Sequence, residues 1–429
     1  MGRVFVKFSF KKQKGEVMTD IKTINRENRI NSSLKSLWKI SLLLYIVCNT
    51  AFASKSYLMM LNSYAMYFFL GVSVICIAAC GFLRFNLYTL SMLIFIPVML
   101  LGNLYSKSSY AISYTYDYFV AFCIVFCIMN YIEGTEDIIF IFKCLMIGGL
   151  VLDIYVLSIY GSGFIDAIMS QTRVGEVAGN VNDVGLKSCY SALIALYFIF
   201  NSNQNKYKPF YLILCVVCIF FSLITASKKV LILLIIGVVF LFLFNGKKKN
   251  VLKIIRNILL AVSVSLLFIY LVYNVKYFEY LRIRVDELFK TLLNSGGNSS
   301  DQKRMRFLIE GMRVFYEHPF LGDGTAASFK YFGTYSHSNF VELLMNHGIL
   351  GFVCFYFSYP IIIFRCFKKR TLKESETDMT YMCLFLFLSI IILSVALVYY
   401  TFVYYQILLA VSAAYVLNSS MKQDKETVQ

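Results

Sequence analysis

Residues 304–351 read RMRFLIEGMRVFYEHPFLGDGTAASFKYFGTYSHSNFVELLMNHGILG and hold all three histidines of the 429-residue chain, His318, His337 and His347. Elsewhere the sequence consists largely of long apolar runs, so its titratable chemistry is concentrated here. The segment 276–337 looks soluble but lies between two hydrophobic runs. Its chemistry is therefore expected at a membrane surface and not within the lipid.

The composition outside this stretch decides the class. With 59% hydrophobic residues, four prolines and a mean hydropathy of +0.68, the chain leaves too little polar surface for a water-soluble globule. It reads as an all-α polytopic membrane protein. A span needs about 20 apolar residues at 1.5 Å each, and about twelve stretches qualify: 38–54, 57–80, 87–105, 111–131, 138–160, 184–201, 210–226, 229–245, 254–275, 338–364, 379–397 and 399–417. The expected organisation is a basic cytoplasmic arm (1–37), nine transmembrane helices (38–275) with an outer loop at 161–185, an extracytoplasmic helical loop (276–337), three more transmembrane helices (338–417) and a cytoplasmic tail (418–429).

Lysines and arginines set the orientation, because positive flanks stay in the cytoplasm. The arm up to Lys39 carries ten of them. Further clusters are Arg84, Lys206 with Lys208, Lys247 to Lys249 with Lys253 and Arg256, Arg365 with Lys368 to Arg370, and Lys422 with Lys425. Twelve spans with both termini inside put every cluster on the cytoplasmic face and account for most of the net charge of +17. The excess is a topology signal, so nucleic acid is set aside as a partner, and anionic lipid at the inner leaflet stays open. The charged N-terminus is too long for a cleaved signal peptide, and the first span reads as a retained anchor.

All twelve cysteines sit in or beside apolar spans. Cys215 and Cys218 form a lone CxxC with no second pair or histidine nearby, so they read as small apolar helix residues and no metal site is expected. No cofactor is expected either.

Five ionisable residues break the drawn topology near its outer side: Asp117, Asp153, Lys187, Lys228 and Lys229. Charges within a membrane are costly and usually face a cavity, so an opening on the extracytoplasmic side is expected, with snorkelling as the alternative for each residue singly. The loop 161–185, GSGFIDAIMSQTRVGEVAGNVNDVG, has Arg173 as its one basic residue. That arginine could clamp a phosphate bidentately or be an ordinary surface residue.

From Lys303 to Tyr316 the apolar residues at 305, 308, 309, 312, 315 and 316 predict an amphipathic helix with Arg306, Glu310 and Arg313 on another face. Glu310 and Arg313 are spaced to pair. Arg304 and Arg306 stand near the expected start, where unpaired backbone N–H groups favour anions. Pro319 ends the helix, and His318 reads as a helix-end residue. His337 precedes a new helix carrying Asn339, Glu342 and Asn346 as a polar stripe. Asn339 with Glu342 fits an N-cap and its partner, while His337 suits proton transfer near neutral pH. His347, deeper in NHGILG, reads as a packing residue beside Gly348 and Gly351.

HPFLGDG followed by SHSNFVELLMNHGILGF resembles the signature of the O-antigen ligase and Wzy-type polysaccharide polymerase superfamily. RVGEVAGNVN and TASKKVL resemble two further segments of it, and the likeness covers about Arg173 to Phe352. The resemblance implies a GT-C-like fold and a metal-independent, inverting glycosyltransferase at the outer face of a bacterial inner (plasma) membrane. It implies an undecaprenyl-diphosphate-linked oligosaccharide as donor, a lipid-linked repeat unit as acceptor, and a flippase and chain-length regulator as further partners. By the same resemblance His337 is the general base, Arg304 or Arg306 with Arg173 binds the diphosphate, and Glu342 and Asn339 support. Lys228 stands where the family has arginine, and Ser338 where many members have asparagine. The expected activity is polymerisation of repeat units of an O-antigen, capsule or exopolysaccharide. An O-antigen ligase using a lipid A-core acceptor is the alternative within the superfamily, and a lipid-linked oligosaccharide flippase the alternative outside it.

Overall fold

The computed structural model describes residues 4–7, 32–53, 58–170, 173–201, 205–244, 251–283, 285–286, 299–370 and 377–418. The basic residues at 247–249, 422 and 425, most of the arm and part of the outer loop lie outside these. Each of the twelve apolar stretches falls on a helix. In chain order these are α1 (Ser32–Phe52), α2 (Met59–Cys80), α3 (Leu87–Tyr105), α4 (Ala111–Tyr131), α5 (Thr135–Tyr160), then, after a short α6 (Phe164–Met169), α7 (Val181–Asn201), α8 (Lys208–Ile224), α9 (Lys228–Phe244) and α10 (Val251–Asn274). Segment 276–337 contributes α11 (Ser299–Glu317) and α12 (Ala327–Phe332); α13 (Asn339–Tyr356), α14 (Ser358–Arg370), α15 (Thr377–Leu393) and α16 (Val403–Asn418) follow. Among the described residues six helical segments are long and apolar enough to cross a membrane, and three shorter apolar helices accompany them. The protein is a multi-pass helical membrane protein. The reading as all-helical misses one feature, a ribbon of Val4–Lys7 (β1) antiparallel to Phe82–Phe85 (β2).

Proline placement follows from its missing N–H. Pro209 opens α8, Pro360 lies in the first turn of α14 and Pro319 follows the end of α11, whereas Pro97 alone sits in a helix interior. Glycine lets the helices approach closely: a Cβ on Gly149 of α5 would lie 2.5 Å from Ser191 Cβ of α7.

The helix ends gather into two groups. At one end Lys35 pairs with Glu133 (2.8 Å) and Asp137 (3.1 Å), Lys39 reaches Asp137 (3.1 Å), and the Arg84 amide donates to Asn130 Oδ1 (2.7 Å). At the other end the loops after α3, α5, α8, α10 and α15 meet.

That second end is organised by a broken helix. α13 departs from helical geometry at Gly348 (φ 60°, ψ −162°), which strands the last carbonyls of its first half and the first amides of its second. The turn 319–324 fills the gap. Asp323 and Gly324 donate their amides to the Met345 and Asn346 carbonyls (2.9 and 3.1 Å), and Ile349 and Leu350 donate theirs to the Pro319 and Phe320 carbonyls (2.8 and 3.2 Å). The approach tolerates no side chain. A Cβ on Gly322 would lie 2.4 Å from the Asn346 backbone and one on Gly348 2.4 Å from that of Phe320, and both glycines have positive φ.

Gly322→Ala and Gly348→Ala are each expected to cost at least about 1–3 kcal/mol from backbone strain alone. Gly71→Ala, at a glycine with nothing within 4 Å, should be nearly neutral. Thermal unfolding of the detergent-purified variants checks the contrast.

Candidate functional site

The helix carrying Arg304 begins at Ser299, four residues earlier than its apolar spacing implied, so Arg304 and Arg306 sit beyond its first turn and not among its unpaired N–H groups. Its faces also differ from the expectation. The predicted stripe is largely outside, with Met305, Ile309 and Tyr316 at 57%, 63% and 73% exposure. The inward line is Phe307, Gly311 and Val314: Phe307 stacks on Phe332 (4.5 Å), a Cβ on Gly311 would meet Val341 at 2.4 Å, and Val314 is buried. A helix turns about 100° per residue. Arg304 therefore shares the inward side, while Arg306 shares the exposed one with Glu310, Arg313 and Glu317. Arg313 pairs with Glu310 (3.7 Å), as its spacing required, and with Glu317 (3.2 Å).

His337 lies between that inward face and Tyr335. Its ring is parallel to Phe307 (centroids 6.1 Å apart) and edge-on to Tyr335 (4.4 Å). Its φ is +66°, a left-handed conformation that non-glycine residues hold only when their surroundings impose it. Glu342 supplies much of the imposition. Fully buried, it accepts hydrogen bonds from the Ser336 amide (2.7 Å), Ser328 Oγ (2.5 Å) and Asn346 Nδ2 (3.3 Å), while Ser336 Oγ donates to the Ser338 carbonyl (2.9 Å). The residues on both sides of His337 are thereby fixed.

The N-cap of α13 is Ser338, whose side chain accepts from the Val341 amide, and not Asn339. Asn339 is buried and joins α13 to the irregular chain between α15 and α16. Its Oδ1 accepts from the Tyr399 and Tyr400 amides (3.1 and 3.2 Å), and its Nδ2 donates to Tyr356 (2.8 Å). Asn339, Glu342 and Asn346 do share one stripe, but it faces the bundle interior.

The loop 161–185 and the turn before α9 complete the site. Asn182 Oδ1 accepts from Arg173 Nη2 (2.8 Å) and from Ser227 Oγ (2.8 Å), Arg173 Nε donates to the Thr225 carbonyl (3.2 Å), and Asn180 Nδ2 reaches Tyr335 Oη (3.4 Å). Gly185 permits the contact, since a Cβ there would lie 2.4 Å from Thr225 Oγ1. Arg173, Lys229 and Arg304 converge here: the charges of Arg304 and Arg173 act on Lys229, and those of Arg304, Lys229 and Lys303 act on His337. Burial first, then these three cations, push the His337 pKa down to about 4. The imidazole is neutral at physiological pH.

Lys229, rather than Lys228, is thus the lysine coupled to the histidine, and adjacent lysines at the start of a helix gave the sequence no means of choosing. Tyr335 and Phe307 were also missed. An aromatic residue beside a histidine carries no signal until the chain is folded. The other out-of-place charges disperse instead of lining one opening. Lys187 pairs with Asp183 (2.8 Å), Asp153 is buried and accepts from Ser188 Oγ (2.5 Å), and Asp117 is exposed. His318 is exposed at the end of α11, 3.8 Å from Asp323, and His347 is buried edge-on to Phe95 (5.1 Å) against Gly351, both as the sequence implied. Cys215 and Cys218 are buried helix residues, as the sequence implied.

Fold and site together define a multi-pass helical membrane protein with cationic side chains and one neutral imidazole assembled at one end. Residues 210–356 match the family model described as O-Antigen ligase, which bears out the resemblance to the O-antigen ligase and Wzy-type superfamily over that segment. The match takes in Lys229, Arg304, His337 and Glu342 and leaves Arg173 outside it. It points to a glycosyltransferase-like enzyme of the ligase or polymerase type acting on lipid-linked oligosaccharide. No curated protein and no solved structure shows a significant match to the chain.

Glu342→Ala leaves three donors without their buried acceptor and is expected to destabilise the fold by about 2–5 kcal/mol. Glu342→Gln, which keeps one carbonyl oxygen, should lose less than half of that. Thermal unfolding of the two variants side by side tests the ranking.

Proposed function

We propose that the protein is a polysaccharide polymerase. It transfers a glycan from undecaprenyl diphosphate to a hydroxyl of another lipid-linked repeat unit at the outer face of a bacterial inner membrane, with both of its termini cytoplasmic and about twelve spans between them. The observation that carries this reading is the placement of Arg304 and Lys229 where their charges act on His337, with Arg173 acting in turn on Lys229, from three segments far apart in the chain.

A lipid diphosphate is a good leaving group, so the chemistry asks for two things. Cationic donors must stabilise the charge that develops as the bond from the anomeric carbon to the phosphate oxygen breaks. A base must take the proton of the incoming hydroxyl as the new bond forms on the opposite face of the sugar, which inverts the anomeric carbon. Arg304, Lys229 and Arg173 supply the first. His337 supplies the second, and its neutral state at physiological pH is the one a base requires. The chemistry asks for no metal ion.

Proton affinity and donor binding are coupled at this site. The cations that repel a proton from His337 are those a diphosphate would neutralise, so a bound donor raises the basicity of the imidazole when it is needed. Arg306, on the solvated face, has no part in this. A ligase would use the same donor site with a different acceptor, and the description of the matched family favours keeping that second reading.

His337→Ala is expected to abolish long-chain polymer in cells while protein level and membrane insertion persist; wild-type chain lengths would refute its role as base. A cell lacking the protein that still exports single units but joins none supports the polymerase. Unattached long polymer indicates the ligase, and units trapped inside indicate a flippase.

The pH dependence has a definite sign. In the free enzyme the acid limb of kcat/KM should fall well below the ordinary histidine value of 6.5, towards about 4, because burial and the charges of Arg304, Lys229 and Lys303 disfavour the imidazolium. Arg304→Ala or Lys229→Ala removes one repelling charge, so either should move that limb to higher pH while weakening donor binding. A pH–rate profile of purified protein with a defined lipid-linked repeat unit measures both effects.

A further inference from the structure

Met305, Ile309 and Tyr316 leave an apolar line on α11 uncovered by any described residue, and Phe320 just past the helix end is 75% exposed. None of them takes part in the site, which uses the opposite side of the helix. The tip of the turn has a defined place. The Phe320 carbonyl accepts from the Leu350 amide (3.2 Å) and the Leu321 carbonyl from Tyr105 Oη (2.7 Å), so the tip sits between the end of α3 and the second half of α13. Both helices belong to segments able to cross a membrane, and around the tip they present exposed Leu101, Leu104, Ile349 and Leu350. Apolar side chains on the outside of such helices face lipid, and Phe320 with Leu321 continues that surface beyond the helix ends.

We propose that the Phe320–Leu321 tip enters the lipid leaflet at the site end of the bundle and that the line Met305, Ile309, Tyr316 lies along the boundary between headgroups and acyl chains of the same leaflet. Two further observations support lipid as the occupant. Tyr316 has the amphipathic ring favoured at that depth. The neighbouring face balances Arg306 and Arg313 against Glu310 and Glu317, so α11 would attach by apolar contact rather than by attraction to anionic headgroups. α11 then has three faces with three environments: Arg304 and Phe307 to the site, the charged face to water, and the apolar line to lipid. Its height above the membrane is thereby fixed, and Arg304 is held at the level where a lipid-borne diphosphate presents its phosphates. The lipid contact itself rests on the membrane-spanning fold alone and not on the transferase reading.

Trp38 is the single tryptophan of the chain and is fully buried, which gives a low baseline for quenching from the lipid phase. Phe320→Trp, Ile309→Trp and, on the charged face, Glu317→Trp are to be reconstituted separately into phosphatidylcholine vesicles brominated at shallow or deep acyl positions. Phe320→Trp and Ile309→Trp should lose roughly twofold more fluorescence than Glu317→Trp, with Ile309→Trp responding best to the shallow label and neither depending on added phosphatidylglycerol. Quenching no greater than that of Glu317→Trp in both variants would overturn the proposal, since the line would then face water or protein and not lipid. Quenching that disappears as protein density rises would overturn it in favour of a second copy. Adding His337→Ala should leave the quenching unchanged, so failure of the transferase reading and failure of the lipid contact are separately visible.

Discussion

The site end of this protein depends on the exchange of backbone hydrogen bonds between the turn 319–324 and the interrupted helix at Gly348. Within a membrane protein an unpaired amide or carbonyl costs several kcal/mol where water cannot reach it, so a helix can break only if other groups take over its bonds. Four bonds do so here, two to the first half of α13 and two from the second. Because that turn also ends α11, the helix bearing Arg304 is tied in fixed register to the helix that follows His337. The glycines of HPFLGDG and NHGILG, far apart as motifs, are two sides of one contact.

Around that anchor the polar groups divide into those that hold and those that act. Glu342, Asn339, Asn346, Ser328 and Ser336 are buried and satisfied, and they pin the chain around a histidine in a left-handed conformation. Arg173, Lys229 and Arg304 are partly buried, and the charges of the two arginines act on the lysine. The neutral imidazole follows from burial first and then from the charges of Arg304, Lys229 and Lys303.

The sequence located the helices well because long apolar runs have few alternatives to helical structure in lipid. It singled out His337 as a candidate because a histidine just before a polar-striped helix at the edge of an apolar run is an uncommon arrangement. It misread the inward face of α11, since the apolar Phe307 and Val314 share that face with Gly311 and Arg304, neither of which registers as apolar. It also assigned the cap of α13 one residue late, and expected the out-of-place charges to share an opening, whereas Lys187 and Asp153 had partners within the bundle. Which of two adjacent lysines or two nearby arginines faces inward depends on helix rotation, and rotation is set by packing.

Composition and pattern therefore determined the membrane class, the helical segments and the family resemblance. Only the tertiary structure decided that Arg304 and Lys229 act on His337, that Arg306 lies on the exposed face of α11, and that Glu342 accepts hydrogen bonds from the chain around His337. The physical reason is the range of the forces. Hydrophobic periodicity is written locally along the chain, whereas the cationic cluster and the repaired helix break exist only through contacts between residues that belong to different helices and loops.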